Sequence, residues 1–112
     1  MSTQPTNVTI GNFAFVCVPL SIANFLDVAA VYVILCVGAT GKWNILDVGQ
    51  TGGLGDRIDS HERRSCWERH CRGKNIWVGV YKMPSDKNSE SDRLNVEAWI
   101  RTTYGPLPCG TR

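Results

Sequence analysis

Val48-Gly49-Gln50-Thr51-Gly52-Gly53-Leu54-Gly55-Asp56-Arg57 is the stretch on which the reading of this chain turns. A β-branched residue near the end of a strand is followed by closely spaced glycines that make a turn. A helix then begins at Leu54 or Gly55 and runs to about His61. Arg57 and His61 are four residues apart, and on a helix such residues share a face. A guanidinium and an imidazole placed together suit a phosphate. That spacing alone specifies no function, so the flanking sequence has to decide.

Immediately upstream, Val31 to Val37 is continuously apolar, β-branched and aromatic, as a buried central strand would be. Gly38-Ala39-Thr40-Gly41-Lys42 reads as a turn, and Trp43 to Val48 as the returning strand. An antiparallel hairpin would bring Tyr32 and Asp47 near one another at its open end. Downstream, a second helical segment is expected from Ser65 to Arg72. Asn75 to Met83 alternates, with Ile76, Val78 and Val80 on one face and Trp77, Gly79 and Tyr81 on the other. After the polar loop Pro84 to Ser91, Ser89 or Ser91 caps a helix to about Tyr104, stopped by Gly105 and Pro106. Near the N-terminus, Met1 to Asn12 reads as a polar leader and Phe13 to Val18 as a strand ended by Pro19. Ser21 would cap a short helix, Ile22 to Val28. The prediction is a small α/β (α+β) domain over residues 30–112, a three-stranded, mainly antiparallel sheet flanked by helices, preceded by an extension over residues 1–29.

Composition bounds the rest. A chain of 112 residues suits one domain, and 43% apolar with 20% charged residues excludes a disordered polymer. The net charge of +2 does not by itself argue for nucleic acid. Residues 56–74 concentrate Arg57, Arg63, Arg64, Arg69, Arg72 and Lys74 with Asp56, Asp59, Glu62 and Glu68. They read either as a solvated helix face or as a basic groove following a phosphate backbone through Arg63, Arg64 and His70. Phe13 to Gly38 is apolar but broken by Pro19, Asn24 and Asp27, so no membrane span is expected. Met1 to Asn7 has no basic n-region. With five cysteines, an odd number, reduced thiols in a cytoplasmic protein are the expectation. His61, Cys66, His70 and Cys71 lack the Cys-x-x-Cys spacing of structural zinc and are not read as a zinc site. Gly38 to Lys42 lacks the spacing and the Ser or Thr of a phosphate loop, and Gly53-Leu54-Gly55 lacks the third glycine of a dinucleotide fingerprint.

Taken in order, Ala30-Val31-Tyr32, Asp47-Val48-Gly49 with Gln50-Thr51 after it, Arg57, His61 and Glu97 resemble the GIY-YIG nuclease family over roughly residues 30–110. The chain departs from the pattern at three places. Ala30 replaces the first glycine, Asp47 replaces a tyrosine, and Pro108-Cys109-Gly110 stand where an asparagine is usual. The resemblance implies a metal-dependent endonuclease that hydrolyses phosphodiester bonds, with DNA as the first choice of nucleic acid.

In that reading Tyr32 activates or orients the attacking water and Arg57 stabilises charge at the scissile phosphate. His61 is a general base or phosphate ligand, or else a solvated helix residue. His70 matches a histidine of some members. Glu97, bordering an apolar face with Leu94, Ala98 and Ile100, would be the single protein ligand of one Mg²⁺ (or Mn²⁺). Asp47 either marks a weakened enzyme or takes over as water-orienting group or second metal carboxylate. Substrate choice would come from surface loops, homo-oligomerisation or a targeting partner. The alternatives are a catalytically degenerate domain that binds nucleic acid or protein without cleavage, and a small interaction domain with no nucleic-acid role.

Overall fold

The computed structural model describes residues 6–72, 75–84, 86 and 88–110. Its centre is strand β3 (Ala30–Val37), buried at every residue but the last. Such a strand is covered on both faces, which is why it reads as an unbroken apolar run. β3 pairs antiparallel with β4 (Trp43–Thr51) on one side and β5 (Asn75–Tyr81) on the other. β2 (Phe13–Pro19) pairs with β5, and β1 (Thr6–Ile10) with β2, so the sheet runs β1-β2-β5-β3-β4.

The expected three strands are therefore the core of a five-stranded sheet, and residues 6–19 belong to that sheet. Thr6–Ile10 is a strand rather than a polar leader; Met1 to Pro5, like Lys74 of the basic stretch, lie outside the described residues. Gly11 and Asn12 close the β1–β2 hairpin. Gly11 has φ +61, which a II′ turn requires at its first position and which glycine adopts freely. The helix expected over Ile22 to Val28 does not form. A 3₁₀ turn, Leu20–Ile22, is followed by an irregular segment whose Phe25 and Val28 anchor it on the core.

Helices cover the two faces of the sheet. α1 (Leu54–Asp59) and α2 (Arg64–His70) place Leu54, Ile58 and Trp67 on Tyr32, Ile34, Leu46 and Val78. α3 (Glu90–Tyr104) places Val96 and Ile100 on Val31, Val33, Leu35 and Val48. The alternation of β5 is as read: Ile76, Val78 and Val80 meet the first layer, Trp77 and Tyr81 the second.

Ser89 caps α3. Its hydroxyl accepts from the Asp92 N–H at 3.1 Å while the Asp92 carboxylate accepts from the Ser89 N–H at 3.3 Å, a reciprocal capping box. The buried stripe of α3 is Arg93, Val96, Glu97 and Ile100, whereas Leu94 and Ala98 face outward. This corrects the face read from hydropathy. Charged residues lie inside because they have partners, a fact invisible to an apolar count.

Four cysteines are paired, Cys36 with Cys71 and Cys66 with Cys109, with Cα separations of 5.6 and 5.9 Å. This overturns the expectation of five reduced thiols. The partners are 35 and 43 residues apart, so only the fold shows that they meet. Disulfides persist in oxidising surroundings, and the thiol argument for a cytoplasmic setting falls with the pairing. Cys17 remains free and buried, its thiol pushed up to about 11 by burial. No helix among the described residues is long and apolar enough to cross a membrane.

Candidate functional site

The pairing of β3 with β4 sets Tyr32 opposite Gly49. The phenol lies directly over that glycine: a Cβ at position 49 would fall 2.3 Å from Tyr32 Oη. Only a residue without a side chain admits this approach. Tyr32 Oη is 2.7 Å from His61 Nε2, and both residues are buried. The backbone N–H of Arg63 donates to His61 Nδ1 at 3.1 Å. An accepting Nδ1 carries no proton, so hydrogen-bond geometry assigns the neutral ring's proton to Nε2, which donates to the Tyr32 oxygen.

His61 is indeed neutral near pH 7. Burial first, then the charges of Arg57 and Arg63, lower its pKa to about 4. Its ring centroid lies 4.5 Å from that of Trp67.

Arg57 and His61 do not share a helix face, contrary to the reading of their spacing. α1 ends at Asp59, where Ser60 turns its N–H and hydroxyl back onto the Asp56 carbonyl at 3.1 and 2.8 Å. The self-bonding hydroxyl of serine offers the backbone an alternative to continuing the helix. The two residues still converge, because Arg57 lies beside the Tyr32 hydroxyl. Burial raises the pKa of that hydroxyl above its usual value, and Arg57 pulls it back down. Arg57 also pairs with Glu62 at 3.4 Å in an exposed contact of small energetic weight.

Asp47 reaches the same layer by a different device. Ile34 pairs with Asp47 and Leu35 with Ile45, so Leu46 is an extra residue in β4. This β-bulge turns both Leu46 and Asp47 toward α1 and α2. The Asp47 carboxylate is fully buried. Its Oδ2 accepts from Arg63 Nε at 2.8 Å and Trp67 Nε1 at 2.9 Å. Its Oδ1 accepts from Arg63 Nη2 at 3.2 Å and the Val48 N–H at 2.9 Å. Four donors fill its acceptor sites, which leaves none for a water or a metal ion.

Arg63 spends its Nε and Nη2 on Asp47, and its side chain remains partly exposed. Burial works against its charge, but the Asp47 carboxylate outweighs that and holds the guanidinium more firmly protonated. Arg64 and His70 lie elsewhere on α2. Arg64 lines a groove with Leu20, Ser21, Glu68 and Asn75, and His70 is exposed beside Cys66 and Cys109.

Glu97 comes from the helix on the opposite face. Its Oε1 accepts from Arg101 Nη2 at 2.7 Å, and the same nitrogen donates to the Val48 carbonyl at 2.9 Å. Arg93, one turn earlier, donates to Gln50 Oε1 at 3.0 Å. β4 is the edge strand, so its outward carbonyl requires such a donor. Tyr32 and the Glu97–Arg101 pair thus meet consecutive residues of one edge strand, Gly49 and Val48, from opposite faces. Arg101 Nη1 has no acceptor among the described residues, and a Cβ at Gly110 would lie 3.0 Å from it.

Sequence reading missed Arg93, Arg101 and Trp67. The four-residue spacing of Arg93, Glu97 and Arg101 could have pointed to the first two; nothing local marks Trp67 as the partner of Asp47. The sequence cluster His61, Cys66, His70 and Cys71 is split. His61 turns to Tyr32, Cys71 pairs with Cys36, and Cys66 and His70 gather with Cys109 instead. Comparison with protein-family models, with curated proteins and with solved structures returns no match for this chain.

Proposed function

We propose that this chain is a GIY-YIG-like endonuclease that hydrolyses phosphodiester bonds of DNA. The observation that carries the reading is the 2.7 Å contact between Tyr32 and His61, held over Gly49 beside Arg57. Tyr32 on β3 and Arg57 and His61 on and just after α1, residue types suited to phosphate chemistry, converge in the fold.

His61 has no lone pair to offer a water, because Nδ1 receives the Arg63 N–H and Nε2 carries the proton. It acts by positioning Tyr32. The Tyr32 oxygen accepts from His61, which leaves the phenol hydrogen to orient a water where substrate binding opens access to the buried ring. When the phenol is deprotonated, the same oxygen takes the water's proton, with His61 Nε2–H and Arg57 stabilising the phenolate. The water oxygen bonds to phosphorus as the bond to the leaving oxygen breaks. Arg57 contacts the phosphate oxygens that gain charge.

Of the acidic residues considered for a metal, Asp47 does not fit, since its oxygens are saturated. Glu97 supplies a hard carboxylate beside the edge strand β4, but it is buried, ion-paired with Arg101 and on the α3 face of the sheet, opposite Tyr32 and His61. A Mg²⁺ or Mn²⁺ ion held there would neutralise charge on a phosphate and its leaving oxygen where the substrate reaches round the β4 edge from the Tyr32 side.

A second reading, binding without cleavage, is favoured by the locked state of Asp47. The two are separated by incubating supercoiled plasmid and a branched oligonucleotide with Mg²⁺ or Mn²⁺ and either wild type or Glu97→Gln. Cleavage by the wild type alone supports the endonuclease. Salt-dependent binding by both without cleavage supports the binding module.

A further inference from the structure

The Cys66–Cys109 disulfide has a third neighbour. The sulfur atoms of Cys66 and Cys109 and a ring nitrogen of His70 all lie within 4.8 Å of one another. Two of the three come from one helix: Cys66 and His70 are one turn apart on α2, a spacing that puts both on one side. The third is fixed independently, because the Cys109 N–H donates to the Leu46 carbonyl of β4 at 2.8 Å. α2 is itself anchored through Trp67, which is buried and bonded to Asp47. The donors are therefore placed by backbone and core contacts as well as by the sulfur–sulfur bond.

We propose that Cys66, His70 and Cys109 form a Zn²⁺ site that takes the place of the Cys66–Cys109 disulfide under reducing conditions. Two thiolates and an imidazole are a soft to borderline donor set, which selects zinc over the hard Mg²⁺. A tetrahedral zinc holds two sulfurs roughly 3.8 Å apart, given Zn–S bonds of about 2.3 Å. That spacing sits inside the cluster's present dimensions once the sulfur–sulfur bond is opened.

The chemistry balances with a dithiol as reductant. The dithiol transfers two electrons and two protons to the Cys66–Cys109 bond, which becomes two thiols, and closes its own disulfide. Zn²⁺ then binds both sulfurs as thiolates, their two protons pass to solvent, and neutral His70 supplies the third ligand. Because His70 is exposed, the fourth position opens to water. The C-terminal segment stays tied to α2 in either state, by sulfur in one and by metal in the other.

The test uses the full chain, reduced by a phosphine under anaerobic conditions and titrated with Co²⁺, followed by displacement with Zn²⁺. Thiolate-to-cobalt charge transfer and tetrahedral d–d bands are expected at one ion per chain, and only after reduction. His70→Ala keeps the disulfide and changes an exposed side chain, so it folds, and it should weaken Zn²⁺ binding by about tenfold or more. The double variant Cys36→Ala/Cys71→Ala should keep the bands. The proposal is overturned if the oxidised chain gives the same spectrum, if His70→Ala binds as tightly as wild type, or if the bands follow Cys36 and Cys71 instead.

Discussion

Asp47→Asn isolates the most heavily bonded group in the molecule. The carboxylate is fully buried and receives Arg63 twice, Trp67 once and the Val48 N–H once. The asparagine keeps the shape, removes the charge, and turns an amide NH₂ toward donors that need an acceptor. Arg63, whose side chain is 25% exposed, loses its counter-charge. Removing one partner of a buried pair costs about 3–5 kcal/mol. The partial exposure of Arg63 lets water screen its charge, which brings the expectation to roughly 2–3 kcal/mol. For a domain of this size that lowers the melting temperature by about 10 °C or more. Urea unfolding of the disulfide-intact protein, followed by Trp fluorescence and by circular dichroism, gives the midpoint and slope. The expected result is a lower midpoint at unchanged slope, and a double-mutant cycle with Arg63→Met should give a coupling energy of about 1 kcal/mol or more, because Asp47→Asn costs much less once Arg63 is gone. A loss below about 0.5 kcal/mol, within the range of ordinary surface changes, would refute the structural role of Asp47. It would return the residue to the list of water- or metal-facing groups.

Three further outcomes follow from the same geometry. Gly49→Ala puts a methyl 2.3 Å from Tyr32 Oη, so the phenol must swing away from His61; stability should fall by about 1–3 kcal/mol, as for overpacking, and any cleavage should fall with it. Burial and the neighbouring arginines lower the His61 pKa in the folded chain to about 4, from the ordinary imidazole value of 6.5. Its contribution to stability is therefore complete above about pH 6.5 and is lost as pH falls toward 4. At about 1.4 kcal/mol per pH unit this amounts to at most ~3 kcal/mol, less where solvent screens the ring. Urea midpoints across that window should fall less steeply for His61→Gln than for wild type, and parallel slopes would contradict the assignment. Reducing both disulfides in the presence of a chelator should destabilise the chain by several kcal/mol, since closing loops of 35 and 43 residues constrains the unfolded state by about 4 kcal/mol each; an unchanged unfolding midpoint would refute this.

What the sequence disclosed and what it hid have physical reasons. β3, β5 and α3 were legible because local pattern specifies them: a continuous apolar run, a period-two alternation, and a serine cap with a glycine stop. β1 was not, because a five-residue edge strand of mixed polarity carries a weak signal and its partner strand was read without it. The site was half visible. Tyr32, Gly49 and Arg57 could be singled out by order and spacing. The helix break at Ser60 and the bulge at Leu46 could not, because each is settled by hydrogen bonds formed only in the fold. Asp47 looked like a replacement in a catalytic position, and its meaning lies in Arg63 and Trp67, 16 and 20 residues away. The disulfides were hidden for the same reason.

The central claim is that Tyr32, held by His61, handles the attacking water. Tyr32→Phe tests it most directly, through single-turnover cleavage of a DNA substrate in Mg²⁺ or Mn²⁺ between about pH 6 and 9, with folding checked by circular dichroism. The burial-raised pKa of Tyr32 means that the phenolate fraction, and with it the wild-type rate, rises across this window. The variant should be slower by about a hundredfold or more and lose that rise. A wild-type chain that does not cleave, or a folded Tyr32→Phe that cleaves at the wild-type rate with the same pH profile, would contradict it.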